Sequence, residues 1–202
     1  GFKAAVEIIF VVLAGGIMFG IMDKSKAVEN AIGTLVRTLG VQRKYTIVVI
    51  MTFVYGILGV AVGYENNIAM VPIAAVLSLA LGGDLILAAG ISVGGMTVGF
   101  GLSPINPYTV GIGHTIAELP IFSGAILRSI LCVGGLSLMA FYNVRYFKKI
   151  LSDRKKSLGN GLDTNGIQLS QPIEQYTMTR TNQLIIFTFL IGLIAILYGV
   201  FN

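Results

Sequence analysis

The chain has 202 residues, 55% of them hydrophobic and 11% charged, about half the charged share of a soluble domain. That composition excludes soluble globular, disordered and disulfide-rich classes, and Cys132, the single cysteine, allows neither an internal disulfide nor a cysteine metal cluster. The net charge of +5 does not point to nucleic acid. Its basic residues collect in two stretches between apolar runs, the pattern of a membrane protein's cytoplasmic side.

A bilayer core about 30 Å thick needs about 20 helical residues. Residues 1–22 supply the first transmembrane helix and carry no charge over 8–22. Residues 23–44 hold five basic and two acidic side chains, with Val28, Ile32, Leu35, Val36 and Leu39 on one helical face. This predicts an amphipathic helix lying in the cytoplasmic interface. Residues 45–83 form two uncharged runs interrupted at Glu65. Two full spans and one re-entrant helical hairpin both satisfy the lengths, and the polar junction favours the hairpin. Residues 84–118 read as a broken transmembrane helix. Within them 33 residues (85–117) carry no charge, too many for one straight span, and Gly99, Gly101, Pro104 and Pro107 interrupt the run. Residues 119–146 give the next transmembrane helix, 147–180 a polar cytoplasmic linker, and 181–202 the transmembrane helix of the next unit. Placing the basic segments 23–44 and 145–180 both in the cytoplasm keeps parity under either reading of 45–83. The chain opens at Gly1 and stops directly after an apolar run, which sets the expectation of a longer polytopic protein.

Tyr64, Glu65, Asn66 and Asn67 put a carboxylate and two amides between two uncharged runs. A charge at the bilayer centre costs about 3 kcal/mol, so Glu65 faces water, a cation or a partner charge. The segment is either the tip of a re-entrant hairpin reaching a site or a wet outer loop. A second polar group, Ser103, Asn106, Pro107, Tyr108 and Thr109, surrounds the break. Backbone groups freed there cannot face lipid, and secondary transporters build midplane sites from such broken helices. A proline kink or a long outer loop is the plainer alternative. His114, the only histidine, is either a structural hydrogen bonder or a proton relay. Arg128 either snorkels to headgroups or pairs with Glu118 or an anionic substrate. Asp84 is placed to cap the helix that follows Gly83. The glycine pairs Gly16/Gly20, Gly90/Gly94 and Gly95/Gly99 read as close helix packing. No phosphate-binding loop, zinc motif or nucleophile elbow is present. Only His114 and Glu118, four apart, could form a catalytic pair, so neither an enzyme nor a bound cofactor is expected.

The stretches GYENNIAMVPIAAVLSLALGGD and VGFGLSPINPYTVGIGHTIAELPIFSGAILRS, preceded by AGGIMFGIMDKSKAVENAIGTLVRTLG, resemble the YfcC/DcuC-type family. These are bacterial carriers of the ion transporter superfamily, which includes the sodium-coupled dicarboxylate symporters. The resemblance covers about residues 5–147. It implies an all-α polytopic membrane protein built from two inverted repeats, each with a re-entrant hairpin and a broken span meeting at midplane. This chain would be the N-terminal half, lacking its second repeat. By position, 64–67 would be the hairpin tip and 103–109 the unwound part of the broken span. Relatives often carry two adjacent carboxylates at that tip; Asn66 stands at the second position here, which puts the cation number and a basic substrate in doubt.

The expected function is secondary active transport of a small organic anion or amino acid across the bacterial inner membrane, by symport or exchange with alternating access. Coupling would use Na+ or H+. A sodium site would draw on Glu65, Asn66 and Ser103, with His114 as the candidate proton relay. Partners would be the substrate, the bilayer, the missing second half and a second copy in a homodimer, with no nucleic acid. The alternative is a non-transporting membrane scaffold or sensor subunit.

Overall fold

A computed structural model describes residues 24–61, 70–164 and 175–201, together with Ile17 and Ile21. Among the described residues every regular element is helical. Helix α1 (Ala27–Leu39) is amphipathic, and Leu35 and Leu39 lie against the core. A 3₁₀ turn, Val41–Arg43, leads into α2 (Lys44–Ala61), an 18-residue apolar helix. Helix α3 (Val71–Ala80) begins with a proline in its first turn, where a missing N–H does no harm. It ends in a Schellman motif: Gly82 N–H donates to the Leu79 carbonyl and Gly83 N–H to that of Ser78. Gly82 sits at φ +87°, a conformation that favours glycine.

Helix α4 (Leu85–Gly101) opens on Asp84, whose Oδ1 accepts from Leu87 N–H at 2.8 Å, the cap its position predicts. A π turn, Gly90–Gly94, interrupts α4. After Gly101 the chain leaves helical geometry and resumes as α5, a π turn (Pro107–Gly111) followed by one α turn (Ile112–Ile116). Helix α6 (Ala125–Ser152) is the longest, at 28 residues. Helix α7 (Arg180–Phe201) closes the chain and packs on α1.

Among the described residues, α2 and α6 are long and apolar enough to cross a membrane, by length and composition. The outer face of α6 exposes Ile126, Leu127, Ile130, Leu131, Leu138 and Phe141, an apolar patch that suits lipid rather than water. The core lies between α2, α3, α4 and the second half of α6: Ile47, Met51, Tyr55, Leu87, Ile91, Met96, Phe147 and Ile150 are fully buried.

Three expectations change in detail. The helix expected to stop at 146 runs to Ser152, because Phe147 and Ile150 sit one turn apart on its buried face. The residues directly after it are tied back, Ser157 to Asp84 and Leu158 to Tyr146. The arms of the expected hairpin 45–83 are unequal, α2 having 18 residues and α3 ten. Helix α2 packs chiefly along α4, and α3 against the start of α4. Tyr55 still joins the two arms, its hydroxyl donating to the Met70 carbonyl at 2.6 Å.

Candidate functional site

The seam between α2 and α4 is made of backbone. A Cβ on Gly99 would stand 2.0 Å from the Gly56 carbonyl oxygen, and one on Gly59 would stand 2.3 Å from that of Met96. Real side chains do not approach so closely, so only glycine permits this contact. Gly90 and Gly94 face α6 instead, against Asn143 and Met139. The two spacing-four pairs therefore serve two neighbours, five residues apart on the helix and about 140° apart around its axis. Higher up the seam, Asn143 Nδ2 donates to Thr52 Oγ1 at 3.0 Å, pinning α6 to α2 without a charge.

The seam delivers the end of α2 to the break in the next helix. Helix α4 stops at Gly101 because Pro104 and Pro107 lack N–H groups and force the preceding residues away from helical angles. Ser103 and Asn106 are both fully buried within the break. Asn106 Nδ2 donates to the carbonyls of Gly59 at 3.3 Å and Val60 at 3.2 Å, and Ser103 Oγ donates to Val60 at 3.2 Å. Those carbonyls lie within the last three residues of α2. On its other side, Asn106 Oδ1 accepts from Thr109 N–H at 3.1 Å, capping α5. Asn106 N–H in turn donates to Ser103 Oγ at 2.9 Å. One amide thus ties the carbonyl end of one helix to the amide end of another.

The depth of this point follows from α6. A Cβ on Gly135 would lie 2.7 Å from Leu102 Cδ1, so Leu102 stands beside Gly135. Gly135 is about 15 Å from the start of a helix about 42 Å long, at 1.5 Å per residue, so the break stands beside α6 about a third of the way along it. Two helix C-termini, of α2 and α4, and one N-terminus, of α5, meet there. The carbonyl ends favour a cation and the amide end an anion. Asn106 and Ser103 are neutral.

Of the expected site residues, the structure brings Ser103 and Asn106 together and sets Thr109 one turn on, exposed. Pro107 and Tyr108 begin α5; their side chains, and all of Tyr64, Glu65, Asn66 and Asn67, lie outside the described residues. His114 is buried, and its Nδ1 has no hydrogen-bond partner. No bond joins it to Glu118, which is exposed at φ +54°. Arg128 pairs with no carboxylate among the described residues. Sequence reasoning missed the partners of the break, because the carbonyls of Gly59 and Val60 carry no residue-type signal.

At the start of α4 a carboxylate organises the chain. Asp84 Oδ2 accepts from Tyr146 Oη at 2.6 Å and Ser157 Oγ at 2.5 Å. Leu158 N–H donates to Tyr146 Oη at 2.9 Å, and Arg154 Nη1 to the Gly83 carbonyl at 3.2 Å. Burial pushes the Asp84 carboxyl up, but these donors and the backbone amides of Leu87 and Gly159 outweigh it and hold the pKa below its ordinary value.

The profile of the C4-dicarboxylate anaerobic carrier family, DcuC, matches residues 1–202. A candidate basic amino acid antiporter of Escherichia coli, YfcC, is 25% identical over 201 residues, 98% of this chain and 39% of that protein. An uncharacterized protein of Haemophilus influenzae is 28% identical over 153 residues, 75% of this chain and 30% of that protein. The chain therefore spans well under half the length of the curated relatives it matches. No solved structure matches it significantly. With the family profile matching along its whole length, the chain belongs to the C4-dicarboxylate anaerobic carrier family, among carriers rather than enzymes.

Proposed function

We propose that the chain is part of a secondary carrier of the bacterial inner membrane that moves a small carboxylate-bearing solute, a four-carbon dicarboxylate or an amino acid. The observation that carries this reading is the break at 102–106, where two helix C-termini and one helix N-terminus meet beside Gly135 of α6. Exposed helix ends at mid-depth offer both signs of partial charge without a buried ion. In this reading Tyr64, Glu65, Asn66 and Asn67 approach the break from the segment after α2. Glu65 and Asn66, with Ser103, hold the coupling Na+, or Glu65 takes up a proton that His114 helps relay. Thr109 and the first amides of α5 meet the substrate carboxylate, and Pro107 and Tyr108 shape that helix start.

The substrate class divides along charge. The family description names a dianion and the YfcC description a cation. The described side chains at the break are neutral, and Asn66 leaves Glu65 as the one acid of its segment. That balance favours an anionic or neutral substrate over a basic one. The rest of the polypeptide completes the site, the assembly is a homodimer, and the basic segments 23–44 and 145–180 face the cytoplasm.

The test is thermal unfolding of the intact protein with dicarboxylates, neutral amino acids and basic amino acids, each with and without sodium. A ligand that binds the folded state raises the midpoint with concentration. A sodium-dependent dicarboxylate shift supports the reading and Na+ coupling together; a shift without sodium points to H+ or exchange. In uptake assays Glu65→Gln should lose ion dependence; unchanged rate and ion dependence would remove Glu65 from coupling. No shift with any ligand, in folded protein, favours the scaffold or sensor alternative.

A further inference from the structure

Two lysines from two different helices converge on one exposed ring. Lys44, the first residue of α2, places Nζ 5.8 Å from the centroid of Tyr45 and 5.9 Å from that of Phe147. Lys148, near the end of α6, places Nζ 5.3 Å from the same Tyr45 ring. Tyr45 and Phe147 stack edge to face at 5.7 Å, which holds the ring that both ammonium groups approach. Phe147 is fully buried and Tyr45 is 38% exposed, so the pair is rooted in the core and open outward. Arg43, Arg145 and Lys149 stand exposed beside it.

Like charges gathered on one ring repel. No carboxylate among the described residues pairs with Lys44 or Lys148. Glu29 accepts from Tyr176, Asp84 from Tyr146 and Ser157, and Asp153 meets Lys156. The site therefore wants an anion from outside. Its position names which kind. It lies at the end of both helices long enough to span a membrane, where aromatic and basic side chains meet headgroups. Phe141, two turns before Lys148 on the same face, is exposed and apolar, as is Leu138 one turn further on. A molecule whose charge sits on the lysines would lay its hydrocarbon along α6.

We propose that Lys44, Tyr45 and Lys148 form a headgroup site for a phosphate-bearing anionic lipid. The two ammonium groups clasp the phosphate, the Tyr45 hydroxyl donates to it, and the acyl chains follow Phe141 and Leu138. This rests on the membrane reading of α2 and α6 and is independent of substrate and coupling.

The intact protein, purified in neutral detergent, is titrated with dioleoylphosphatidylglycerol, dioleoylphosphatidylcholine, glycerol phosphate or inorganic phosphate while thermal unfolding is followed. Phosphatidylglycerol should raise the midpoint; the zwitterionic lipid and the two soluble phosphates should not. Lys148→Gln should need about fivefold more phosphatidylglycerol for the half-maximal shift, and Lys44→Gln with Lys148→Gln about thirtyfold more. Lys155→Gln with Lys156→Gln, on the same end but away from the ring, should leave the curve unchanged. Should the Lys44 variant fail to fold, Lys148→Gln alone decides, because that side chain is exposed. The proposal is overturned if Lys148→Gln binds the lipid like the parent, if both double variants lose it equally, or if soluble phosphate gives the same shift.

Discussion

The glycine seam and the cluster at the lysine-rich end solve the same problem with opposite chemistry. At the seam, α2 and α4 are joined by glycine contact and by neutral donors, Ser103 and Asn106, on the carbonyls of Gly59 and Val60. At the end, Asp84 gathers Leu87, Tyr146 and Ser157 around one carboxylate. In the proposed membrane setting the difference follows from water. Far from it a charge is expensive, and close backbone approach substitutes for charge. Near it a carboxylate is affordable and can hold segments distant in sequence. The seam should therefore be intolerant of volume and the end intolerant of lost charge.

The largest effect should come from volume at the seam. Gly99→Val would drive side-chain carbons into the Gly56 backbone, which cannot move aside as a side-chain tip can. A loss of more than about 3 kcal/mol is expected, seen as failure to recover a monodisperse, cooperatively unfolding protein. Gly101→Ala is the control two residues away: a Cβ there meets nothing within 4 Å. It should be neutral or slightly stabilising, because alanine holds a helix better than glycine by up to about 1 kcal/mol. Equal damage by both would mean the seam is not fixed by glycine contact.

Next comes the break. Asn106→Ala removes donors from two buried carbonyls and the cap from Thr109 N–H. It should lower stability by about 2–3 kcal/mol and abolish uptake. Ser103→Ala should lose about 1–2 kcal/mol. The double variant should lose less than the sum, since both side chains serve the Val60 carbonyl. Strict additivity in thermal unfolding would show two separate contacts instead of one clamp.

Asp84→Asn tests the other end, with an expected loss of about 1–2 kcal/mol because Tyr146 and Ser157 would face an amide. Its pH dependence has a definite sign. The folded carboxyl titrates below its ordinary value, so its contribution is complete above the unfolded pKa of about 3.9 and fades as pH falls through the lower, folded value. The gap between parent and Asp84→Asn should hold constant from pH 7 to about pH 5 and close in stronger acid. A gap that closes near pH 6 would place another group in control.

Much of this contrast was legible in the residues. Pro104 and Pro107 announced the break, and Ser103 and Asn106 stood out as polar side chains in an uncharged run. Asp84 before an apolar run announced its cap. What the residues could not announce was the partner. Ser103 and Asn106 reach back 43 to 47 residues to backbone carbonyls, which look alike at every position. Asp84 reaches forward 62 and 73 residues to hydroxyls that read as ordinary interface and linker groups. Spacing-four glycines likewise announced close packing but not that Gly90/Gly94 and Gly95/Gly99 face different helices. Arg145 suggested that α6 had reached water, yet Phe147 and Ile150 carry the buried face to Ser152.

The smallest effect should come where both strategies meet, between α1 and the segment before α7. The Tyr176 ring lies over Gly33, where a Cβ would come 2.3 Å from its Cγ. Its hydroxyl donates to Glu29 Oε1 at 2.5 Å, and Thr34 Oγ1 donates to its carbonyl at 3.4 Å. Tyr176→Phe keeps the ring on the glycine and removes only the charge-assisted bond. Glu29 is half-buried and regains water when that donor goes, so the loss should stay below about 1 kcal/mol. Amide exchange along α1 should then rise by no more than about fivefold, with α2 and α4 unchanged. A larger rise would mean that the hydroxyl, and not the ring on Gly33, holds α1 in place, making this contact resemble the Asp84 cluster more than the seam.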